Sequence, residues 1–310
     1  MFFDPIMIAL ARKRNGGSGG STGGGGSTGG EEWFNDGDTH IWISLPEGRT
    51  SPVLGCCPNG TVTVDWGDGT EPDVLTGTSF TSGKWTPTHN YAKPGDYVIR
   101  LTVNSGKVSL YGSDGYTGAY ILQFACGFST TNSVYQNAVR KVEVGDNVLI
   151  YPYAFRDCRS LESVKFPGTA ITNGVHVFYN CYSIKSFDIP DGVTTLGKAC
   201  FYNCYTLKSV KIPNTVTTID TNAFYDCASL ASVKIPNSVT SIGSSAFYHC
   251  WGVAFYDFRT HTAVPTLPSS GTFTGIENST DCKIYVPAAL YDEWIAATNW
   301  SSYAKYIVAV

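Results

Sequence analysis

A run of cysteines at a constant interval of 23 residues constrains this chain more than any other feature of its sequence. The run consists of Cys158, Cys181, Cys204, Cys227 and Cys250. In the same register stand Phe155, Phe178, Phe201, Phe224 and Phe247, and also Pro167, Pro190, Pro213 and Pro236. A unit this short has one apolar set that only a neighbouring unit can cover. The period therefore predicts a solenoid of stacked coils.

The apolar positions inside one unit predict how each coil is built. In the copy LKSVKIPNTVTTIDTNAFYDC at 207–227, Leu207, Val210 and Ile212 are expected to point inward from a short strand that Pro213 ends. Like residues of successive coils then stack at the inter-strand spacing of about 4.8 Å. The sequence thus predicts columns of identical side chains along the solenoid.

The repeated string x-V-K-I-P-x-x-V-T-x-I-x-x-x-A-F-x-x-C resembles the BspA-like (Treponema-type) leucine-rich repeats, over roughly residues 141–250. Two copies depart from the string: 142–158 is one residue short, and in 164–181 Asn173 replaces the usual Leu or Ile. The resemblance implies a surface or secreted adhesive protein of bacteria or protists. The same modules also occur in phage structural proteins.

A second resemblance covers the middle of the chain. Residues 40–45 and 61–66 alternate with the period of two that is typical of strands. The strings VDWGDGT at 64–70 and THNYAKPGDYVIRLTV at 88–103 resemble the PKD family of immunoglobulin-like domains. The resemblance implies a PKD-like β-sandwich over 31–105, which would act as a spacer or a binding module.

Two groups in the middle of the chain are candidates for metal binding. Asp65 and Asp68 could ligate calcium, but calcium needs six or more oxygen ligands, and a structural turn is the preferred interpretation. Cys56 and Cys57 are adjacent and have no second cysteine pair at zinc-binding spacing. No metal and no cofactor is therefore predicted.

The first 30 residues predict an anchor and a tether. Residues 1–14 read as an anchoring helix that Asp4 caps, with Pro5 at its first position. Its apolar anchoring residues are Phe2, Phe3, Ile6, Ile8 and Leu10. Residues 15–30 form a Gly/Ser-rich flexible linker with a reach of roughly 20–24 Å. The alternative is a disordered tail or a cloning addition.

The apolar run in the N-terminal segment does not have the layout of an export signal. A secretory signal places basic residues before its apolar run, whereas Arg12, Lys13 and Arg14 follow the run here. No stretch approaches the ~18 consecutive apolar residues of a membrane-spanning helix. We therefore expect neither export by such a signal nor insertion into a membrane.

The remaining segments complete a mainly β protein. Residues 106–140 are expected to connect the sandwich to the repeats and to cap them at their N-terminal end, and the leucine-rich repeats occupy 141–255. A C-terminal cap follows at 256–310. Within it, 282–310 reads as a strand, a short helix at 288–297 and a closing strand. A cap is needed because an open coil would expose its apolar column and a strand edge.

The cysteine column allows three interpretations: disulfides, metal ligands or core thiols. Parallel side chains in adjacent coils would hold their Cβ atoms near 5 Å, beyond the usual disulfide range of about 3.5–4.5 Å. The column also has an odd number of members. Buried free thiols that pack as small apolar side chains are therefore predicted.

Two exposed columns are candidate binding surfaces. The first is aromatic: Tyr179, Tyr202, Tyr225, Tyr248, Tyr182, Tyr205 and Trp251. Aromatic residues on a rigid scaffold make good contact anchors for a partner. Equally, they can pack between coils with their hydroxyl groups exposed to water. The second is a strand-face strip: Lys165, Lys211, Lys234, Asp188, Ser163, Ser186, Ser209 and Ser232. For this strip a plain solvated face is the preferred interpretation.

Composition and motifs favour binding over catalysis. A net charge of −4 with 15% charged residues argues against a nucleic-acid partner. The five histidines share no motif, and no nucleophile elbow or paired carboxylates are evident.

The sequence favours a phage virion appendage, a head or tail fibre or decoration protein. It would be attached through its N-terminal segment to other virion proteins and would present its outer domains to a bacterial surface protein or glycan. The alternative is a bacterial cell-surface or secreted adhesin. A remote alternative is an accessory part of a carbohydrate-active enzyme.

Overall fold

The computed structural model describes residues 33–47, 54, 56–78, 89–110, 138–171, 174–278 and 281–310. The strands of this part of the chain are β1 (Thr39–Leu45), β2 (Cys57–Asp65), β3 (Asp73–Thr78), β4 (Gly95–Leu110), β5 (Val139–Glu143), β6 (Val148–Ile150), β7 (Ser163–Lys165), β8 (Ser186–Asp188), β9 (Thr195–Leu196), β10 (Ser209–Lys211), β11 (Thr218–Ile219), β12 (Ser232–Lys234), β13 (Ser241–Ile242), β14 (Phe255–Asp257), β15 (Lys283–Val286) and β16 (Ile307–Ala309). Helix α1 spans Tyr291–Ala296, and 3-10 turns lie at Gly168–Ala170, Ile276–Asn278, Ala288–Leu290 and Ser301–Tyr306. The protein is mainly β, as predicted.

The first four strands form one antiparallel sheet in the order β3-β2-β4-β1. Its inner face carries the alternating apolar residues of the sequence, such as Val62 and Val64 of β2 and Ile99 and Leu101 of β4, all fully buried. In the described part of 33–110 all four strands belong to this single sheet. The two-sheet sandwich therefore stays a prediction.

The WGDGT turn braces one end of this sheet. Asp65 accepts a hydrogen bond from the backbone of Gly67, and Asp68 accepts from the backbone and hydroxyl of Thr70. His89 Nε2 lies 2.8 Å from Asp68 Oδ2, and its ring stacks on Trp66 at 4.9 Å. Both carboxylates thus make the local bonds of a structural turn, and that interpretation is confirmed.

The sheet continues without a break into the repeats. Strand β1 pairs antiparallel with β5, and β5 pairs parallel with β7, the strand of the next coil. At this seam the buried carboxylate of Glu143 accepts hydrogen bonds from the backbone N–H groups of Phe34 and Asn35, at 2.8 and 3.1 Å. Lys165 Nζ lies 3.5 Å from Glu143 Oε1. The buried side chain of Glu143 therefore joins segment 33–35 and the sheet to the repeats.

Strands of several neighbouring coils pair in parallel. Strand β8 pairs with β10, so that Ser186 faces Ser209, and β9, β11 and β13 form a second sheet in that order. Between them runs a phenylalanine column whose neighbouring ring centroids are 5.2–5.5 Å apart. Phe273 is the last ring of the column, although it follows Phe247 by more than one period of the sequence.

The cysteine column lies beside these rings. All five of its members are buried. The thiols of Cys181, Cys204, Cys227 and Cys250 each donate to the backbone carbonyl of a phenylalanine in the preceding coil, with Sγ to O distances of 3.1–3.2 Å. The prediction of core thiols is confirmed, and the hydrogen bond adds a reason for cysteine at this position.

The C-terminal segment adds three strands to the last coils. Strands β14, β15 and β16 extend the β12 sheet in parallel order. Trp294 of α1 and Trp300 are fully buried and pack on each other and on Phe258. The predicted helix at 288–297 is a 3-10 turn over its first three residues and α-helical from Tyr291 to Ala296.

Candidate binding surface

The turn that follows each phenylalanine has a left-handed residue at a fixed place. These residues form the turn column: Asp157, Asn180, Asn203, Asp226 and His249, with φ between 56° and 63°. Asn, Asp and His tolerate this conformation better than other non-glycine residues. Their side chains also bond along the column, since Asn180 Nδ2 donates to Asp157 at 2.6 Å and Asn203 Nδ2 donates to Asn180 at 2.9 Å. These bonds hold the turns of neighbouring coils in register.

Next to the turn column, the predicted aromatic residues form a continuous stack. The tyrosine column is Tyr179, Tyr202, Tyr225 and Tyr248. Its neighbouring rings lie 4.5–4.6 Å apart with interplanar angles of 6–8°. All four side chains are half-buried. The rings therefore pack on one another and also present part of their surface to solvent.

A second, shorter aromatic set runs beside the first. The outer column is Arg159, Tyr182, Tyr205, Ala228 and Trp251. The rings of Tyr182 and Tyr205 are 5.4 Å apart and tilted by 35°. Tyr205 and Trp251 are 42% and 50% exposed, unusually high for large aromatic side chains. The ring series is interrupted at Ala228, between these two exposed residues.

Each aromatic column begins with an arginine. The guanidinium carbon of Arg156 lies 4.9 Å from the ring centroid of Tyr179, and that of Arg159 lies 5.4 Å from the ring centroid of Tyr182. Both separations are within the ~6 Å range of a cation–π contact. The aromatic columns therefore already hold guanidinium groups at one end.

Burial raises the pKa of three phenol groups of the tyrosine column. It raises the pKa of Tyr202 to about 12, and neighbouring tyrosines and the charge of Asp226 add to the effect. Burial also raises the pKa of Tyr179 and of Tyr225. At neutral pH these hydroxyls are therefore hydrogen-bond donors as well as acceptors.

The C-terminal end of the surface carries the polar pair Asp226 and His249. His249 Nδ1 lies 3.1 Å from Asp226 Oδ1, and the imidazole packs on Trp251 with 4.8 Å between ring centroids. The ring of Tyr248 lies 3.9 Å from the same imidazole. Carboxylate, imidazole and indole thus meet at one place.

The strand-face strip is less distinctive. Lys165, Lys211, Lys234 and Asp188 are all exposed, at strand positions of successive coils. Lys165 is paired with Glu143 at the seam and also lies 5.9 Å from the ring centroid of Trp33. One of the three lysines proposed for binding therefore helps to join the sheet to the repeats.

Other predicted features lie elsewhere or outside the described residues. The anchoring residues Phe2, Phe3, Ile6, Ile8 and Leu10 and the linker at 15–30 are among the residues that the structure does not describe. In the described ranges, no three or more His, Cys, Asp or Glu side chains are grouped to hold a metal ion. None of the described helices has the length and apolar character needed to span a bilayer.

Sequence reasoning missed four members of this surface. Arg156 and Arg159 start the aromatic columns, and Asp226 and His249 form their polar end. The sequence does contain a signal for them, because each of these residues lies a multiple of 23 residues from a predicted tyrosine or from another turn residue. A search for columns of unlike residues would have found them.

Comparison with known proteins finds a family similar to the repeat region. A family profile described as BspA type leucine-rich repeat region matches residues 131–254 in six copies. No curated protein matches the chain. The match agrees with the resemblance seen in the repeated string.

Several solved structures are similar over part of the chain. A leucine-rich cell surface protein from Faecalibacterium prausnitzii is 29% identical with a TM-score of 0.34, and the match covers 42% of this chain and 35% of that one. A leucine-rich repeat protein from Eubacterium ventriosum is 26% identical with a TM-score of 0.34, covering 44% and 35%. The leucine-rich repeat protein of T. pallidum is 18% identical with a TM-score of 0.34, covering 61% and 67%.

The chain thus spans about a third of the length of the first two proteins. The family match, in contrast, coincides with the cysteine, phenylalanine and tyrosine columns. Residues 131–254 of this protein match the family model described as BspA type leucine-rich repeat region.

Proposed function

We propose that the repeat region is a non-catalytic binding module, a solenoid with a 23-residue period whose aromatic face contacts a partner. The tyrosine column carries this proposal. Its four half-buried rings are held parallel at 4.5–4.6 Å, and burial raises the pKa of the Tyr202 hydroxyl. A ring that is already ordered loses little conformational freedom on binding, and its amphipathic surface suits both apolar and hydrogen-bonding contacts.

The setting that we propose is the bacterial cell surface, in an adhesion-type protein. The family match supports it, because the resembled family consists mostly of surface or secreted adhesive proteins. The virion appendage favoured by the sequence depends on the anchoring helix and the linker, which lie outside the described residues, and no comparison supports it. It is therefore our second candidate, with other virion proteins as the partners of the N-terminal segment.

In this proposal the remaining domains hold the repeats in position to contact the ligand. Residues 31–105 would be a PKD-like module that spaces the repeats from their attachment. The support for this module is the brace of Trp66, Asp68, His89 and Tyr91, in which Tyr91 donates to the Trp66 carbonyl at 2.8 Å. Its sheet continues into β5, so the spacer would hold the repeats rigidly. The ligand would be a bacterial surface protein or a glycan.

Location is tested by proteomics of the organism that encodes the chain. Peptides released by protease treatment of intact cells would contain this protein if it is a surface adhesin. Its recovery from purified virions, and its absence from the cell-surface fraction, would favour the second candidate and reject the first.

Binding is tested with the full chain on glycan arrays and on intact bacterial cells. The double variant Tyr202→Ala/Tyr225→Ala removes the centre of the tyrosine column and is expected to lower binding at least about fivefold, as loss of contact anchors does. The matched variant Lys211→Ala/Lys234→Ala changes the strand-face strip and should bind like the wild type. Unchanged binding of the tyrosine variant would show that the aromatic face is not the contact surface.

A further inference from the structure

The interruption of the outer column at Ala228 leaves a gap between two exposed rings. Tyr205 and Trp251 stand one coil to either side of Ala228, and they are 42% and 50% exposed. Two coil spacings separate the backbones of these two residues by roughly 10 Å. A planar group that touches a ring on each face needs about 7–8 Å, at 3.5–4.0 Å per contact. The gap is therefore wide enough for one planar group and too narrow for two.

The protein itself shows which planar group suits these columns. Arg159 occupies the position before Tyr182 in the outer column, and its guanidinium lies 5.4 Å from that ring. Arg156 does the same for Tyr179 at 4.9 Å. A guanidinium is planar and weakly hydrated, so it stacks on aromatic faces more readily than the compact ammonium of lysine.

A carboxylate stands beside the gap. Asp226 precedes Ala228 by two residues, in the turn that leads into the outer column. On the other side it bonds His249, whose imidazole packs on Trp251. The bond to His249 engages Oδ1 of this carboxylate, and the Asp226 side chain is partly exposed. The gap thus combines two aromatic walls with a negative group.

We propose that the gap over Ala228, between Tyr205 and Trp251, binds an arginine side chain of a partner protein. The guanidinium would stack between the two rings and donate hydrogen bonds to Asp226. The charge of Asp226 favours this occupant over a neutral sugar ring, which would gain only the stacking. This inference rests on the proposed function, since it names the chemistry of a partner for the aromatic face.

The direct test is a titration of the full chain with the peptide acetyl-Gly-Gly-Arg-Gly-Gly-amide. The indole N–H signal of Trp251, assigned by its loss in Trp251→Phe, is followed by NMR. A saturable shift is expected with the arginine peptide. The matched peptide with citrulline keeps the planar shape and loses the charge, and it should bind at least about fivefold more weakly. Equal shifts with both peptides, or none with either, overturn the proposal.

Two variants and one control locate the site. Ala228→Tyr fills the gap with the residue that the outer column already has at Tyr182 and Tyr205, and it should abolish the Trp251 shift. Asn214→Tyr adds the same side chain at an exposed turn outside the gap and should leave the titration unchanged. Asparagine tolerates the left-handed backbone at position 226, so Asp226→Asn should fold. This variant should weaken arginine binding severalfold. It tests the proposal even if Ala228→Tyr does not fold. Wild-type peptide binding in Asp226→Asn or in folded Ala228→Tyr overturns the proposal.

The same variants separate this inference from the proposed function. If the wild type adheres to cells and the arginine peptide does not shift Trp251, the gap proposal fails while the binding face stands. If the peptide binds at the gap and Tyr202→Ala/Tyr225→Ala adheres normally, the proposed use of the tyrosine column fails and the arginine site stands.

Discussion

The thiol of Cys227 donates a hydrogen bond to the backbone carbonyl of Phe201 in the preceding coil, with 3.1 Å between Sγ and O. The same carbonyl accepts the backbone N–H of Cys204 in its own coil at 3.2 Å. One carbonyl oxygen can accept two such bonds through its two lone pairs. The cysteine therefore joins two coils and also fills core space, and a purely apolar residue would do only the second.

Replacement of this cysteine by alanine tests both roles. Cys227→Ala removes a fully buried sulfur and its hydrogen bond, and we expect it to lower the free energy of unfolding by about 1–3 kcal/mol. Urea denaturation followed by circular dichroism measures the change. Ser229→Ala, at an exposed position two residues later, should stay within about 0.5 kcal/mol of the wild type. Equal stability of the two variants would contradict the two roles assigned to Cys227.

His176 makes the stability of the repeats depend on pH. Burial, followed by the charges of Arg156 and Lys198, lowers its pKa from 6.5 to about 4. Between these values the unfolded chain binds more protons than the folded chain. The stabilisation is therefore complete above pH 6.5 and is lost as the pH falls toward 4. Because the side chain is only partly buried, we expect a loss of about 1–2 kcal/mol after allowance for solvent screening.

The variant His176→Asn isolates this effect. Position 176 has a left-handed φ of 52°, and Asn222 occupies the equivalent position two coils later with a φ of 59°. Asparagine should therefore fit without strain, and it does not titrate. The variant should lose less stability than the wild type when urea unfolding is compared at pH 7.5 and pH 4.5. Parallel losses in the two proteins would show that other groups cause the dependence.

Removal of the Glu143 carboxylate at the seam should lower the free energy of unfolding more than removal of most other carboxylates. Glu143→Ala leaves the backbone N–H groups of Phe34 and Asn35 without their acceptor, and we expect a loss of about 1–3 kcal/mol in unfolding free energy. Glu162→Ala changes an exposed glutamate nearby in sequence and serves as the control, with an expected effect within about 0.5 kcal/mol. If the two variants unfold at the same urea concentration, the seam contact is unimportant.

Replacement by phenylalanine should change the protein's stability by different amounts at the two buried tryptophans of the cap. Trp300 donates its indole N–H to the Pro265 carbonyl at 2.7 Å, whereas the indole N–H of Trp294 has no hydrogen-bond partner in the described structure. Trp300→Phe should therefore destabilise the protein by about 1–2 kcal/mol more than Trp294→Phe. Thermal unfolding of both variants measures the difference. A larger loss for Trp294→Phe would contradict this account.

Particular residues show how far sequence reasoning reached. The constant spacing predicted the cysteine and phenylalanine columns, because a periodic chain brings equivalent residues together. It did not reveal Phe273, since the last coil is longer and interrupts the spacing. Nor did it indicate that β1 would pair with β5, because a contact across about 100 residues leaves no periodic signal.

The sequence by itself determined which residues share a column, since repetition alone decides that cysteine stacks beside cysteine and tyrosine beside tyrosine. Only the tertiary structure decided what those columns do. It turned each thiol toward a phenylalanine carbonyl, placed arginines over the first tyrosines, and set Asp226 beside the gap at Ala228. The physical reason is that a period specifies neighbours, whereas side-chain direction, burial and charge depend on how each coil turns in three dimensions.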